Sequence, residues 1–122
     1  MARSYRELLA WQKAKGLAVE IYKHTGHFPS SERYGLTNQL RRAGVSVASN
    51  IAEGQGRLTK GEFRQFLGHA RGSILEIDTQ LAIAFELDYL SKTQYELLEQ
   101  KAYEVLGLVN RLLTSLCELQ DE

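Results

Sequence analysis

The residues best able to do chemistry are few and scattered. The 122-residue chain holds three histidines and one cysteine. A metal site inside a helical bundle needs Glu-x-x-His pairs aimed inward. None occurs; Glu20 and His24 are four apart, on a face that reads as solvated. His-Glu-x-x-His and paired cysteines are absent too. No metal and no cofactor is therefore expected. Cys117 sits in an apolar run and reads as a buried or half-buried thiol. The segment Gly54-Gln-Gly-Arg-Leu-Thr-Lys60 lacks the spacing of a phosphate-binding loop. Its amides beside Arg57 and Lys60 suit an anion, but a helix-to-helix turn explains them more simply. One pair has chemistry suited to a phosphodiester: Arg64 and, five residues on, His69. Histidine exchanges protons near neutral pH, and arginine neutralises charge on a phosphorane. Such pairs are common on helix surfaces. A non-enzymatic, self-assembling interaction module is the main reading; a ribonuclease using Arg64 and His69 stands as one alternative, and a purely structural oligomer with a protein partner as another.

The most informative polar stretch runs from Arg41 to Arg57. At about 100° per residue, Arg42, Ser46, Ser49, Asn50 and Glu53 share one narrow stripe opposite Leu40, Val47 and Ile51. Arg57 extends the stripe if the glycine turn folds back, and the small Ala48 and Ala52 lie between the faces. One reading is a row of hydrogen-bonding groups offered to a ligand or partner. The other is a buried network tying this helix to the next, with ion pairs from Arg42 to Glu76 and from Glu53 to Arg64 or Arg57. Buried charges need partners, so the structural reading carries more weight. It expects Arg42→Ala to destabilise the protein or its assembly.

Four helices must position these residues. Ser4-Tyr-Arg-Glu7, Thr59-Lys-Gly-Glu62 and Ser91-Lys-Thr-Gln94 are capping boxes. The first opens a helix over about 5–25, with Leu8, Trp11, Ala14, Ala18 and Ile21 inward; Gly26 and Pro29 stop it. The second helix spans about 31–54, capped by Ser30 or Ser31 with Glu32 at its positive end, and carries Leu36, Leu40, Ala43, Val47 and Ile51. Phe63, Leu67, Ala70, Ile74, Ile77, Leu81 and Ala84 form a heptad seam on the third, about 60–89. Leu98, Ala102, Val105, Val109, Leu112, Leu116 and Leu119 form another on the fourth, about 92–119. Short connections force neighbours antiparallel, so residues 1–122 are expected to make one all-α, up-down-up-down four-helix bundle. Interior glycines at 16, 44, 68, 72 and 107 each cost about 1 kcal/mol against alanine, and close helix approach is the expected compensation. Leu97, Leu106, Leu108, Leu113 and Cys117, with Phe66, Leu75 and Phe85, lie off the seams. They imply either a wider core stripe or a self-association surface.

Hydrophobic residues make up 43% and the net charge is zero. No apolar run approaches the roughly 18 residues of a membrane span, and Met1 to Tyr5 lacks a signal peptide's apolar core. A cytoplasmic protein is expected. Charge is unevenly divided: residues 1–60 hold ten bases and four acids (+6), residues 61–122 five bases and eleven acids (−6). Either a basic face binds nucleic acid, or the two halves attract each other within a bundle or between subunits. Without an overall basic excess, the second reading is favoured.

The series Phe28-Pro29, Glu32, Tyr34-Gly35-Leu36, Gln39, Arg41-Arg42-Ala43, Ser49-Asn-Ile-Ala-Glu-Gly54, Gly56-Arg57, Phe63, Phe66-Leu67, Ala70, Gly72-Ser73 and Glu76 covers most of the chain. It resembles the bacterial four-helix-bundle proteins first noticed as reading frames inside 23S rRNA intervening sequences. Gly44 stands where that family often has alanine. The resemblance implies a left-handed bundle and a homo-oligomer, a pentameric ring. The accessory protein of diversity-generating retroelements is a distant relative that binds nucleic acid and a reverse transcriptase through basic residues. By that analogy Lys13, Lys15, Lys23, Arg41 and Arg42 are candidate contacts to RNA or to an RNA-associated protein. The Arg64–His69 pair separately resembles the Arg-x(4–6)-His motif of the helical HEPN ribonucleases, though Gln65 matches poorly the Asn, Asp or His expected after the arginine.

Overall fold

A computed structural model describes residues 4–121, with side chains described through Cys117. The side chain of the expected seam residue Leu119 and the start of the Met1–Tyr5 segment lie outside what is described. Four helices, α1 (Leu9–Thr25), α2 (Leu36–Gln55), α3 (Lys60–Glu86) and α4 (Lys92–Asp121), follow a 3-10 turn at Tyr5–Glu7; a second such turn, Ser30–Glu32, lies between α1 and α2. Among the described residues there is no strand.

Each helix packs on the next in chain order, and α4 closes against α1. The contacts run in opposite directions along each pair. Gly44 abuts Ala18 and Ile21. Ser46 meets Ser73 while Gln39 meets Gln80. Arg71 reaches Asn110 while Phe85 stacks on Tyr95. The helices therefore alternate up and down around a square. The inward rows read from α2 and α3 are buried, apart from a half-buried Phe63, and on α4 Leu112 is half-buried. Each fully buried leucine or isoleucine contributes about 1.5–3 kcal/mol. On α1 the core row is instead Ala10, Ala14, Leu17 and Ile21. Trp11 and Ala18 are half-buried at its edge. The wide spacing of apolar residues there allowed two registers, and the one with Leu17 inward fills the centre.

The helix ends refine the capping expectations. Ser91 and Gln94 form the expected reciprocal pair, Gln94 N–H to Ser91 Oγ at 3.1 Å and Ser91 N–H to Gln94 Oε1 at 2.9 Å. Thr59 accepts from Glu62 N–H at 3.1 Å and donates its hydroxyl to the Glu62 carboxylate. Ser4 Oγ accepts from Arg6 N–H, while Glu7 N–H bonds the Ser4 carbonyl and not the hydroxyl, so the side chain caps the 3-10 turn and not α1. The second helix starts at Leu36, not near residue 31, because Pro29 opens the intervening 3-10 turn. Its cap is neither serine. Glu32 reaches forward to accept Leu36 N–H at 3.1 Å and takes the Tyr89 hydroxyl on its other oxygen at 3.1 Å. One carboxylate thus caps α2 and ties the α1–α2 connection to the α3–α4 connection. Glu32→Ala is expected to cost about 1–2 kcal/mol, with Glu32→Gln milder; thermal melting of both variants checks this.

Helix α3 stops at Glu86, short of the expected 89, because Asp88 adopts a left-handed conformation, φ 62°. Asp88 N–H bonds Phe85 C=O and Tyr89 N–H bonds Ala84 C=O, a Schellman closure. Glycine suits that backbone better than a side-chain-bearing residue. Asp88→Gly is expected to raise stability by about 0.5–1 kcal/mol, measured by denaturant midpoint.

Candidate interaction surfaces

The polar stripe is the solvent ridge of α2, and it spills into two grooves. Arg42 and Ser46 line a groove of about 380 Å³ against Ser73 and Glu76 of α3, with Asn38 and Gln39 above them. Ser49 instead lines the groove on the α1 side. The network expected between α2 and α3 is real but small. Ser46 Oγ accepts from Ser73 at 3.1 Å and from Asn50 Nδ2 at 3.0 Å, and Asn50 also donates to the Ser46 carbonyl. The expected Arg42–Glu76 ion pair is not formed within 4.0 Å, although both side chains border the same groove. Both residues are exposed, so water solvates each charge and no burial forces them together. Glu53 lies 4.0 Å from Arg57, one of its two expected partners, and Arg57 rests over the Phe66 ring at 4.5 Å. The expected loss on truncating Arg42 is revised accordingly. Arg42→Ala should leave the melting transition within about 0.5 kcal/mol, since no buried partner is orphaned.

The basic candidates do not gather into one patch. Lys13 pairs with Glu104 of α4 at 3.1 Å. Arg41 donates to Thr25 Oγ1 at 2.9 Å, reaches the Tyr22 carbonyl, and lies over the Tyr22 ring at 4.7 Å. It satisfies groups at the C-terminal end of α1, where a cation is favoured. Lys15 lies over Trp11 at 5.1 Å. Lys15 and Lys23 share the α1/α2 groove, and Arg42 faces the other side of α2.

That α1/α2 groove, about 650 Å³, escaped the sequence reading. Its floor is small: Ala18, Ala48 and Ala52. Its walls are apolar and half exposed, with Val19 48%, Tyr22 46% and Val45 46% accessible. The available signal was the apolar cluster Trp11, Val19 and Tyr22, too many for one face of α1. A groove of about 600 Å³ on the α3/α4 side holds Asp78, Ile83, Phe85, Glu86, Tyr95 and Glu99. Phe85 and Tyr95 stack with centroids 4.7 Å apart. Tyr95 donates its hydroxyl to Glu99 at 2.9 Å. That bond, then burial, pushes the Tyr95 phenol up to about 12. Burial, then the Glu99 charge, raises the Asp78 carboxyl above the ordinary aspartate value. Crowded carboxylates of this kind favour an incoming cation.

Some of the off-seam apolar residues on α4 widen the core. Leu106, Leu108 and Leu113 pack against it, and Cys117 is a half-buried free thiol. Leu75 and Leu97 remain exposed. Close helix approach explains Gly44, where an added Cβ would lie 3.2 Å from Ile21 Cδ1. It does not explain Gly16, Gly68, Gly72 or Gly107, where nothing lies within 4 Å. Arg64 is half-buried and His69 exposed with its ring edge-on to Phe66, 6.0 Å between centroids. Five residues of α-helix separate them by about 140° around the axis. Among the described residues no cluster of His, Cys, Asp or Glu fits a metal, and no helix is long and apolar enough to cross a membrane.

The fold defines an all-α four-helix bundle with grooves between neighbouring helices. Residues 6–111 match the family model described as 23S rRNA-intervening sequence protein, and the chain belongs to that family. The bundle superposes, with a TM-score of 0.80 and 20% identity, on the crystal structure of a protein of unknown function from the S23 ribosomal protein family of Bacteroides thetaiotaomicron VPI-5482. The match covers 87% of this chain and 96% of that one. At this identity the likeness speaks for the fold. The comparison with curated proteins finds no match.

Proposed function

We propose that this chain is a non-enzymatic, self-assembling helical bundle that acts as an interaction module in the cytoplasm, its partner being RNA or an RNA-associated protein. The observation that carries the reading is the exposed apolar surface. Val19, Tyr22 and Val45 stand half exposed on one side of the bundle, and Leu75, Ile83 and Leu97 are exposed on α3 and α4. Apolar surface on two sides of so small a bundle is more than scattered single residues account for, and a second copy covers it economically. A pentameric ring, as the family resemblance implies, repeats the α2/α3 groove once per subunit. Arg42 and Glu76 are then displayed multivalently, which strengthens a weak contact without new chemistry. The family description ties these chains to 23S rRNA intervening sequences, which makes RNA the first partner to test.

Light scattering on the eluting native protein is expected to return a multiple of 13.8 kDa. Added RNA fragments should be retained in a salt-dependent way and emerge uncut. The ribonuclease alternative draws less support, since Arg64 and His69 point to different sides of α3. Metal-free cleavage that disappears in His69→Ala would replace the reading proposed here.

A further inference from the structure

We propose that self-assembly is head-to-tail: the basic α1/α2 groove of one copy receives the acidic α3/α4 face of the next. This rests on the reading of the chain as self-assembling and specifies which surfaces meet. Helix α1 touches α2 and α4 but not α3, so the two grooves lie on opposite sides of the bundle. A contact between opposite faces is heterologous. Each added copy leaves one face of each kind open, and the series closes into a ring when the rotation permits.

Charge selects this pairing over the alternatives. The α1/α2 groove is lined by Lys15 and Lys23 and by no carboxylate. The α3/α4 groove is lined by Asp78, Glu86 and Glu99 and by no base. Pairing like with like would set lysine against lysine, or add carboxylates where Asp78 and Glu99 already repel. Pairing unlike faces sets two lysines against three carboxylates, so most of the buried charges gain a partner, as burial requires. The apolar content also matches. Val45 and Tyr22 flank the floor of one groove, Ile83 stands 46% exposed in the other, and the alanine floor of the first leaves room for a protruding side chain. The division of charge between the two halves of the sequence, +6 and −6, is then the signature of a subunit contact.

The test is charge reversal read by solution mass. Lys15→Glu with Lys23→Glu, and separately Glu86→Lys with Glu99→Lys, are each expected to weaken assembly about 100-fold. Helical circular dichroism and cooperative melting should persist in both. All four reversals in one chain should restore assembly to within about tenfold of native. If that chain folds poorly, mixing the two double variants should give a mixed assembly, open or even-numbered because the two must alternate, that neither forms alone. An assembled native protein whose mass is indifferent to either pair of reversals overturns the assignment of faces and leaves self-assembly standing. So does dissociation that neither the combined chain nor the mixture repairs. A monomeric native protein overturns the underlying reading itself.

Discussion

Gly54→Ala is expected to lower the melting temperature by about 5 °C, although alanine is the better helix former. Gly54 is buried near the end of α2, where α3 begins its return. A Cβ there would lie 2.8 Å from Phe66 Cβ, 2.9 Å from Phe63 Cδ1 and 3.3 Å from the Phe63 carbonyl. The first and last of these atoms belong to the backbone or are fixed to it. They cannot swing aside, so α3 must shift or the turn must open. Overpacking of this kind costs about 1–3 kcal/mol, against a propensity gain near 1 kcal/mol. At roughly 3–6 °C per kcal/mol for a domain of this size, the net loss is readily measured. Gly72→Ala supplies the contrast. Nothing lies within 4 Å of a Cβ there, so that variant should melt a few degrees above the native protein. Scanning calorimetry of both checks the sign of each effect.

Val45→Glu is expected to abolish self-association while leaving the fold intact. Val45 is 46% exposed in the wall of the α1/α2 groove. A carboxylate there is solvated in the isolated bundle, so its stability should change by no more than about 0.5 kcal/mol. In the assembly the same carboxylate would be buried against Asp78, Glu86 and Glu99 of the neighbouring copy. Leaving an unpaired like charge in such a contact costs about 3 kcal/mol or more, over 100-fold in affinity. Unchanged melting together with loss of assembled mass separates a surface effect from a folding defect. Val45→Ala, which removes only part of the apolar contact, should weaken assembly far less.

The fold was legible because its signals are local and redundant. The rows on α2 and α3 repeat by four and three over several turns, so helix boundaries could move by several residues without disturbing them. The start of α2 misled because Glu32 caps from four residues upstream, which no local capping pattern describes. The end of α3 misled because an aspartate holds a backbone conformation usually left to glycine. On α1 the register slipped because Trp11 and Ala18 are apolar yet belong to a groove wall and floor. That slip also hid the groove. A single-helix wheel sorts residues into inside and outside, whereas a groove forms where two outsides meet. The Arg42 stripe, expected mainly as a buried network, is mostly an exposed ridge; its Glu76 partner was inferred from level alone, and two exposed charges at one level need not touch.

Sedimentation equilibrium of the native chain at micromolar concentration, beside Val45→Glu, tests the central claim most directly. The account expects a mass several times 13.8 kDa for the native protein and 13.8 kDa for the variant. A native mass of 13.8 kDa across the concentration range would contradict it.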